Sequence, residues 1–273
     1  MEIRPLTAGL PGSGAAPPSR WGFRRLRLRR GRRQLVFLPG GVLKVGRTPF
    51  ERALLDAEVR GSQAAARHPF WAGAGVRALK LGRAGLFMRR FRSVTDDDFP
   101  AAADFTARRL EASLGYPRQP VLAGLERRPV FGRISPDGRD RLRRALAGTR
   151  LPATSMHGDF HLHNFVHGTG DGFRLIDWEH LDPDGSFAFD FLDFHLQAEG
   201  MRRGLDWPGL LAGLDPGAPV FLEAARVLGA DPAALRLYDL ALRIDINLTR
   251  AAAFPGTTAP TDLLPLLERP LPG

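Results

Sequence analysis

The chain contains no cysteine. Disulfides, thiolate metal sites and cysteine nucleophiles are therefore excluded. The absence fits a reducing compartment, and equally a coding bias toward Arg, Ala, Gly and Pro. Lysine is nearly absent too: of 39 basic residues only Lys44 and Lys80 are lysines. A chain that uses arginine almost everywhere draws notice where a compact ammonium replaces the planar fork, and this singles out Lys44. No apolar run reaches the roughly 18–20 residues of a membrane-spanning helix. The opening "MEIRPLTAGLPGSGAAPPSR" has no basic stretch followed by an apolar one, the mark of a secretory signal. These absences make a cytoplasmic protein the expectation.

What is present is ordinary in bulk and uneven in place. The 273 residues, 44% apolar and 25% charged, have room for one large domain or two lobes with a sizeable core. The formal net charge of +10 sits entirely in residues 1–50, and the other basic and acidic residues cancel. It centres on "RRLRLRRGRR", Arg24 to Arg33. That run reads either as a solvated basic hairpin or as a surface for phosphate, acidic glycan or anionic lipid. No motif for specific nucleic-acid binding accompanies it.

Residues 1–20 read as a flexible, Gly/Pro/Ala-rich arm; "GLPGSG" within it follows no strand and opens no helix, so it is not a phosphate loop. From Phe23 the pattern alternates at period two, predicting three antiparallel strands with turns at Gly31 and Gly40–Gly41. "PFERALLDAEVRGSQAAARH" then predicts an amphipathic helix with Leu54, Leu55, Val59 and Ala65 or Ala66 on its apolar stripe. "GVRALKLG" and "AGLFMRRF" predict two more strands. Beyond them the spacing predicts helices over 101–115, 137–148, 187–199, 218–229 and 232–252, with one hairpin, "NFVHGTGDGFRLIDWE", turning at Gly168–Gly172. No repeat interrupts this order. The fold class expected is α+β: a small β lobe with one helix (21–92) before a larger, mostly helical lobe (93–273).

The chemistry concentrates in "MHGDFHLHNF", Met156 to Phe165. His161, His163 and Asp159 raise the possibility of a hydrolytic zinc site, but such sites need a further Asp-His pair close downstream, and Asn164, Phe165 and Val166 follow instead. The spacing of His157, Asp159 and Asn164, H-x-D-x-x-x-x-N, with Asp177 at the end of the next hairpin, is that of a protein-kinase catalytic loop. Phosphoryl transfer needs this set. Metal ions offset the charge of the phosphate oxygens, while a carboxylate aims the incoming hydroxyl.

"HGDFHLHN" followed by "LIDWE" resembles the aminoglycoside phosphotransferase and choline kinase family, which has a protein-kinase-like fold. The resemblance implies Asp159 as the catalytic base, Asn164 and Asp177 as Mg²⁺ ligands, and His157 as a structural residue of the loop. Asp190 in "GSFAFDFLDF" resembles the buried aspartate that braces this loop, with Asp193 a competitor for that role. The fold also needs a third-strand lysine on the nucleotide phosphates, paired with a helix glutamate. Lys44 lies on the third predicted strand and Glu58 falls in the middle of the next helix; Glu51 is too near that helix's start. Two features depart from the pattern. The loop over the phosphates, "RRGRR", has a single glycine, and the hinge near Met88 to Phe91 does not distinguish ATP from GTP.

The implied activity is an ATP- and Mg²⁺-dependent phosphotransferase acting on a hydroxyl of a small molecule or glycan. A sugar or lipid-linked acceptor is expected over a polycation, because residues 51–273 are charge-neutral and offer no acidic cluster. Asp96 to Asp98 read as the capped start of a helix. The alternatives are an aminoglycoside or choline-like kinase, a metal-dependent hydrolase, and a silent ATP- or polyanion-binding module on the same fold.

Overall fold

The structure is a computed structural model that describes residues 24–26, 34–38, 40–168, 172–205, 210, 215–253 and 263–268. The expected N-terminal arm, residues 27–33 of the basic hairpin with its turn and phosphate loop, and residues 169–171 of the later turn lie outside the described residues.

The first layer is an antiparallel sheet of β1 (Arg24–Leu26), β2 (Gln34–Leu38), β3 (Gly41–Val45), β4 (Ala78–Leu81) and β5 (Gly85–Arg89), in the order β1-β2-β3-β5-β4. Helix α1 (Pro49–Arg67) runs between β3 and β4. Its start is fixed locally. Pro49 presets the first turn, the Glu51 N–H donates to Thr48 Oγ1 at 3.1 Å, and the Thr48 N–H donates back to Glu51 Oε2 at 3.1 Å. That capping role accounts for Glu51 and leaves Glu58, two turns on, to face the sheet. Leu55, Val59 and Ala65 of the expected stripe are buried, Leu54 is half-buried and Ala66 is exposed. Leu55 and Val59 join Val76, Ala78, Leu86 and Met88 in a small apolar core, to which Val166 adds from the other lobe. Each such side chain contributes roughly 1.5–3 kcal/mol by leaving water.

The second layer begins with β6 (Arg92–Ser93) and α2 (Phe99–Ser113), then β7 (Arg118–Pro120), α3 (Val121–Glu126), α4 (Pro129–Arg133), α5 (Pro136–Leu146) and β8 (Arg150–Pro152). The hairpin β9 (Phe165–His167) and β10 (Phe173–Leu175) follows, pairing Phe165 with Leu175. Next come α6 (Phe187–Arg203), α7 (Pro219–Leu228), α8 (Pro232–Ala253) and α9 (Leu264–Glu268). The five helices read from spacing are present within a few residues at their ends. The three short ones, α3, α4 and α9, lack the length to show a period. Also unforeseen is β6, which pairs with β9 and ties the end of the small sheet to the hairpin. The Asp96–Asp98 run is the expected capped turn, Asp98 accepting from the Thr95 N–H at 2.8 Å. No helix among the described residues is long and apolar enough to cross a membrane.

Residues 187–194 of helix α6 are buried on every side, Phe187, Phe189, Phe191, Leu192 and Phe194 among them, so its first half forms the centre of the lobe. Phe160, Trp71 and Trp178 pack against its start, Trp71 lying 5.1 Å from Trp178 and 5.5 Å from Phe187 between ring centres. His195 on the same helix stacks at 4.6 Å on Phe191, and burial pushes its imidazole down to about 4 against a smaller upward pull from Glu223. The unfolded chain then binds the extra proton between pH 6.5 and 4, so this group's contribution to stability is present above pH 6.5 and is lost as pH falls toward 4. The loss is as much as about 3 kcal/mol. A thermal-unfolding series over that range is expected to show Tm falling, with a shallower slope in His195→Leu; parallel slopes would remove His195 as a source.

Candidate active site

The strand entering the loop is fixed at Met156, whose N–H and carbonyl exchange 2.8 Å bonds with the backbone of Asp182. The chain then turns through Gly158 at φ 82°, where a Cβ would stand 2.6 Å from the His180 carbonyl oxygen. Only glycine meets both conditions there. Asp190, fully buried on α6, accepts the His157 N–H at 2.7 Å on one oxygen and the Gly158 N–H at 2.9 Å on the other. Burial holds this carboxyl well above its usual range, with the two backbone bonds pulling it down. Asp193, one turn later, accepts the Phe160 N–H at 2.8 Å. The two aspartates are thus not competitors, as the sequence had them; they clamp the peptides before and after Asp159. Their spacing of three puts both on the helix face that meets the loop.

His157 is buried and its ring has one role for each nitrogen. Nε2 donates to the Ile176 carbonyl at 2.9 Å, and Nδ1 accepts the Asp159 N–H at 3.4 Å. This pattern fits the neutral Nε2–H form. Burial keeps the imidazole below its ordinary value against the upward pull of that carbonyl. His157 therefore links the loop to the strand that delivers Asp177.

Asp159 is half-buried. The Asn164 amide donates to its backbone oxygen at 2.7 Å, and the His161 ring lies 3.6 Å from its carboxylate. Burial alone would depress the His161 imidazole, but Asp159 outweighs it and raises it. Asp177 stands at φ 62° and ψ 52°, a left-handed position that Asp tolerates and most residues do not. The backbone reverses there and turns the carboxylate toward the small sheet.

Lys44 is buried on β3 between two carboxylates. Its Nζ donates to Glu58 Oε1 at 2.6 Å and to Asp177 Oδ1 in a shorter ion pair. Burial works to lower this ammonium, and Asp177 and Glu58 reverse the effect and raise it. Helix α1 reaches this depth because Gly61 lies against the Trp178 carbonyl, where any side chain would collide. Lys44→Arg is expected to cut turnover at least about tenfold, since a broad guanidinium does not fit a slot closed around one ammonium. A fully active variant would make Lys44 an ordinary strand residue.

Among the described residues no three His, Asp or Glu side chains gather for a metal. The His161 and His163 rings stand edge to face, 5.8 Å apart, and give the zinc reading no support. Asn164 donates through its nitrogen, which leaves its carbonyl oxygen for a cation, and Asp177 adds a carboxylate. Two hard oxygen donors suit Mg²⁺, which keeps waters and phosphate oxygens for its other positions. The sequence did not point to Arg243, buried on α8, which pairs with Asp193 from fifty residues away. A charge inside an apolar helical stripe is the one signal it leaves.

No family model matches the chain, and no curated protein matches it in sequence. In structure it is similar to the aminoglycoside phosphotransferase APH(4)-Ia, at TM-score 0.52 and 13% identity over 90% of this chain and 92% of that one. It is also similar to the choline kinase LicA from Streptococcus pneumoniae, at TM-score 0.50 and 11% identity over 90% of this chain and 93% of that one. At such identity the likeness is one of fold: the chain has the two-lobed, protein-kinase-like α+β fold that these two structures share.

Proposed function

We propose that the protein is an ATP- and Mg²⁺-dependent phosphotransferase of the aminoglycoside phosphotransferase and choline kinase type, acting on the hydroxyl of a small molecule or glycan. One observation carries the reading. Lys44 and Glu58, both buried, meet the partly exposed Asp177 in an ion triad, beside a loop whose peptides on either side of Asp159 are held by α6 and whose Asn164 bonds the Asp159 carbonyl. Buried charges of this kind cost stability unless paired and are kept where they serve a site.

In this reading the small lobe, 21–92, holds the nucleotide, and Lys44 grips its phosphates with Glu58 holding the ammonium in place. Asp177 and Asn164 would hold Mg²⁺, which supplies charge neutralisation at the phosphate oxygens. Asp159 orients the acceptor hydroxyl and takes its proton. The acceptor would enter a cavity of about 380 Å³ lined by Arg127, Arg128, Met156, Asp182, Asp184 and Asp245. Arg128 already pairs with Asp182 and Asp245. Arg127 and Asp184 remain as opposite charges of the lining without an ionic partner among the described residues. With three carboxylates to two guanidiniums the lining carries one excess negative charge, too little to hold the several ammonium groups of a polycationic antibiotic, and this supports a neutral acceptor such as a sugar or a lipid-linked precursor. The Arg24–Arg33 run, whose first three residues form the edge strand β1, supports contact with an anionic surface or with nucleotide phosphate.

The test is Mg²⁺-ATP consumption against a panel of sugars, acidic glycans, amino alcohols and aminoglycosides. Turnover with a neutral or anionic hydroxyl compound supports the reading. Efficient aminoglycoside turnover would reverse the acceptor choice, and failure to bind Mg²⁺-ATP at all would reject the enzyme.

A further inference from the structure

Three buried ionic side chains join α6 to α8 behind the catalytic loop. Arg243 donates through Nε to Asp239 at 2.8 Å and through a terminal nitrogen to Asp193 Oδ1. Gln197 also donates to that oxygen at 2.9 Å, while the other oxygen of Asp193 takes the Phe160 N–H at 2.8 Å. All three charged groups are at most 5% exposed, and the guanidinium lies 5.1 Å over the Phe189 ring. A buried carboxylate left without its ionic partner turns to another one, so the orientation of Asp193 rests on Arg243 together with Gln197.

We propose that Arg243 is a positioning residue for the reaction: it keeps Asp193 aimed at the Phe160 N–H, and through that peptide it sets where Asp159 stands. The inference rests on Asp159 being the base. Asp190 secures the peptides at His157 and Gly158; among the described residues the N–H of Phe160 has Asp193 as its partner, and Asp193 is held by Arg243 of α8 as well as by Gln197 of its own helix. The same helix lines the cavity given above to the acceptor, through Asp245, Ile246 and Thr249. One rigid element therefore holds both the base and a wall of the cavity, so their separation is fixed by α8 and not by the loop alone. Positioning of this kind matters because small displacements of a reacting group lower rate without lowering affinity.

The experiment compares Arg243→Met and Arg243→Lys with the unaltered chain by site-resolved amide exchange, Mg²⁺-ATP calorimetry and acceptor-free transfer to water. In Arg243→Met, exchange at Phe160 should rise at least tenfold relative to buried amides of α6. Turnover should fall about tenfold, with Mg²⁺-ATP affinity within about threefold. Arg243→Lys, which keeps the charge, should restore most of both. If Arg243→Met does not fold, Asp193→Asn keeps the shape and an acceptor oxygen without the charge, and should show the same local exchange and turnover loss. Uniform loss of protection across α6 and α8, or unchanged exchange at Phe160, would overturn the proposal. If exchange at Phe160 rises and turnover holds in a chain whose Asp159→Asn variant is also active, the base assignment has failed, and with it the role of Arg243.

Discussion

Asp159→Asn is expected to lower turnover by about 10³-fold while Mg²⁺-ATP affinity stays within about threefold. The substitution keeps the size and planarity of the side chain. The shorter bonds that shape the loop reach its backbone: Asn164 donates to the carbonyl of residue 159 at 2.7 Å and to its Oδ2 only at 3.4 Å, and Asp190 and Asp193 hold the peptides on either side. The variant therefore loses basicity and little else. An internal control comes from His161, raised by the carboxylate 3.6 Å away. Its titration by NMR should move downward in Asp159→Asn, which shows that the charge has gone and the geometry remains. A variant that keeps more than about a tenth of the rate would remove Asp159 as base.

Asp177→Asn is expected to remove the Mg²⁺-dependent part of nucleotide affinity, weakening Mg²⁺-ATP binding about 100-fold or more, to the level seen with chelator. Asparagine is the informative choice because it also tolerates the left-handed backbone at 177, φ 62°. Alanine would add backbone strain to the loss of charge. Lys44 keeps Glu58 as partner in this variant, so the sheet and α1 should hold and Tm should change little. Calorimetry that finds the same Mg²⁺ dependence as in the unaltered chain would sink the metal assignment. Loss of the thermal transition would give Asp177 a structural role instead.

Much of this site was legible in the chain because its parts are either contiguous or carried by strong local patterns. "HGDFHLHN" and "LIDWE" are single stretches, so Asp159, Asn164 and Asp177 could be named by spacing. Lys44 was marked by the rarity of lysine and by its place on the third strand of a period-two meander. Glu58 followed from its place in the middle of the helix after that strand, a helix legible from its apolar stripe. Asp193 shows where such reading ends. Residues three apart on one helix share a face, and the motif assigned the brace to Asp190 with Asp193 as a weaker competitor for that one role. Which of two neighbouring amides each accepts depends on the path of the loop across that face.

Arg243 left no more than its charge inside an apolar stripe, because one of its two partners, Asp193, lies on another helix and only the crossing of α6 and α8 brings them together. The mixed-charge cavity was missed for the same reason, since its lining comes from α3, the segment around Asp182 and α8. The sequence by itself determined the order of sheet and helices, the identity of the loop and the residues available for phosphate and metal, because period, capping and motif spacing are local properties. The tertiary structure alone decided that Lys44, Glu58 and Asp177 share one contact, that two aspartates divide the work of holding the loop, and that α8 reaches the loop at Phe160 through Asp193. Those are contacts between segments far apart in the chain, and buried charge is tolerated only where packing delivers its partner.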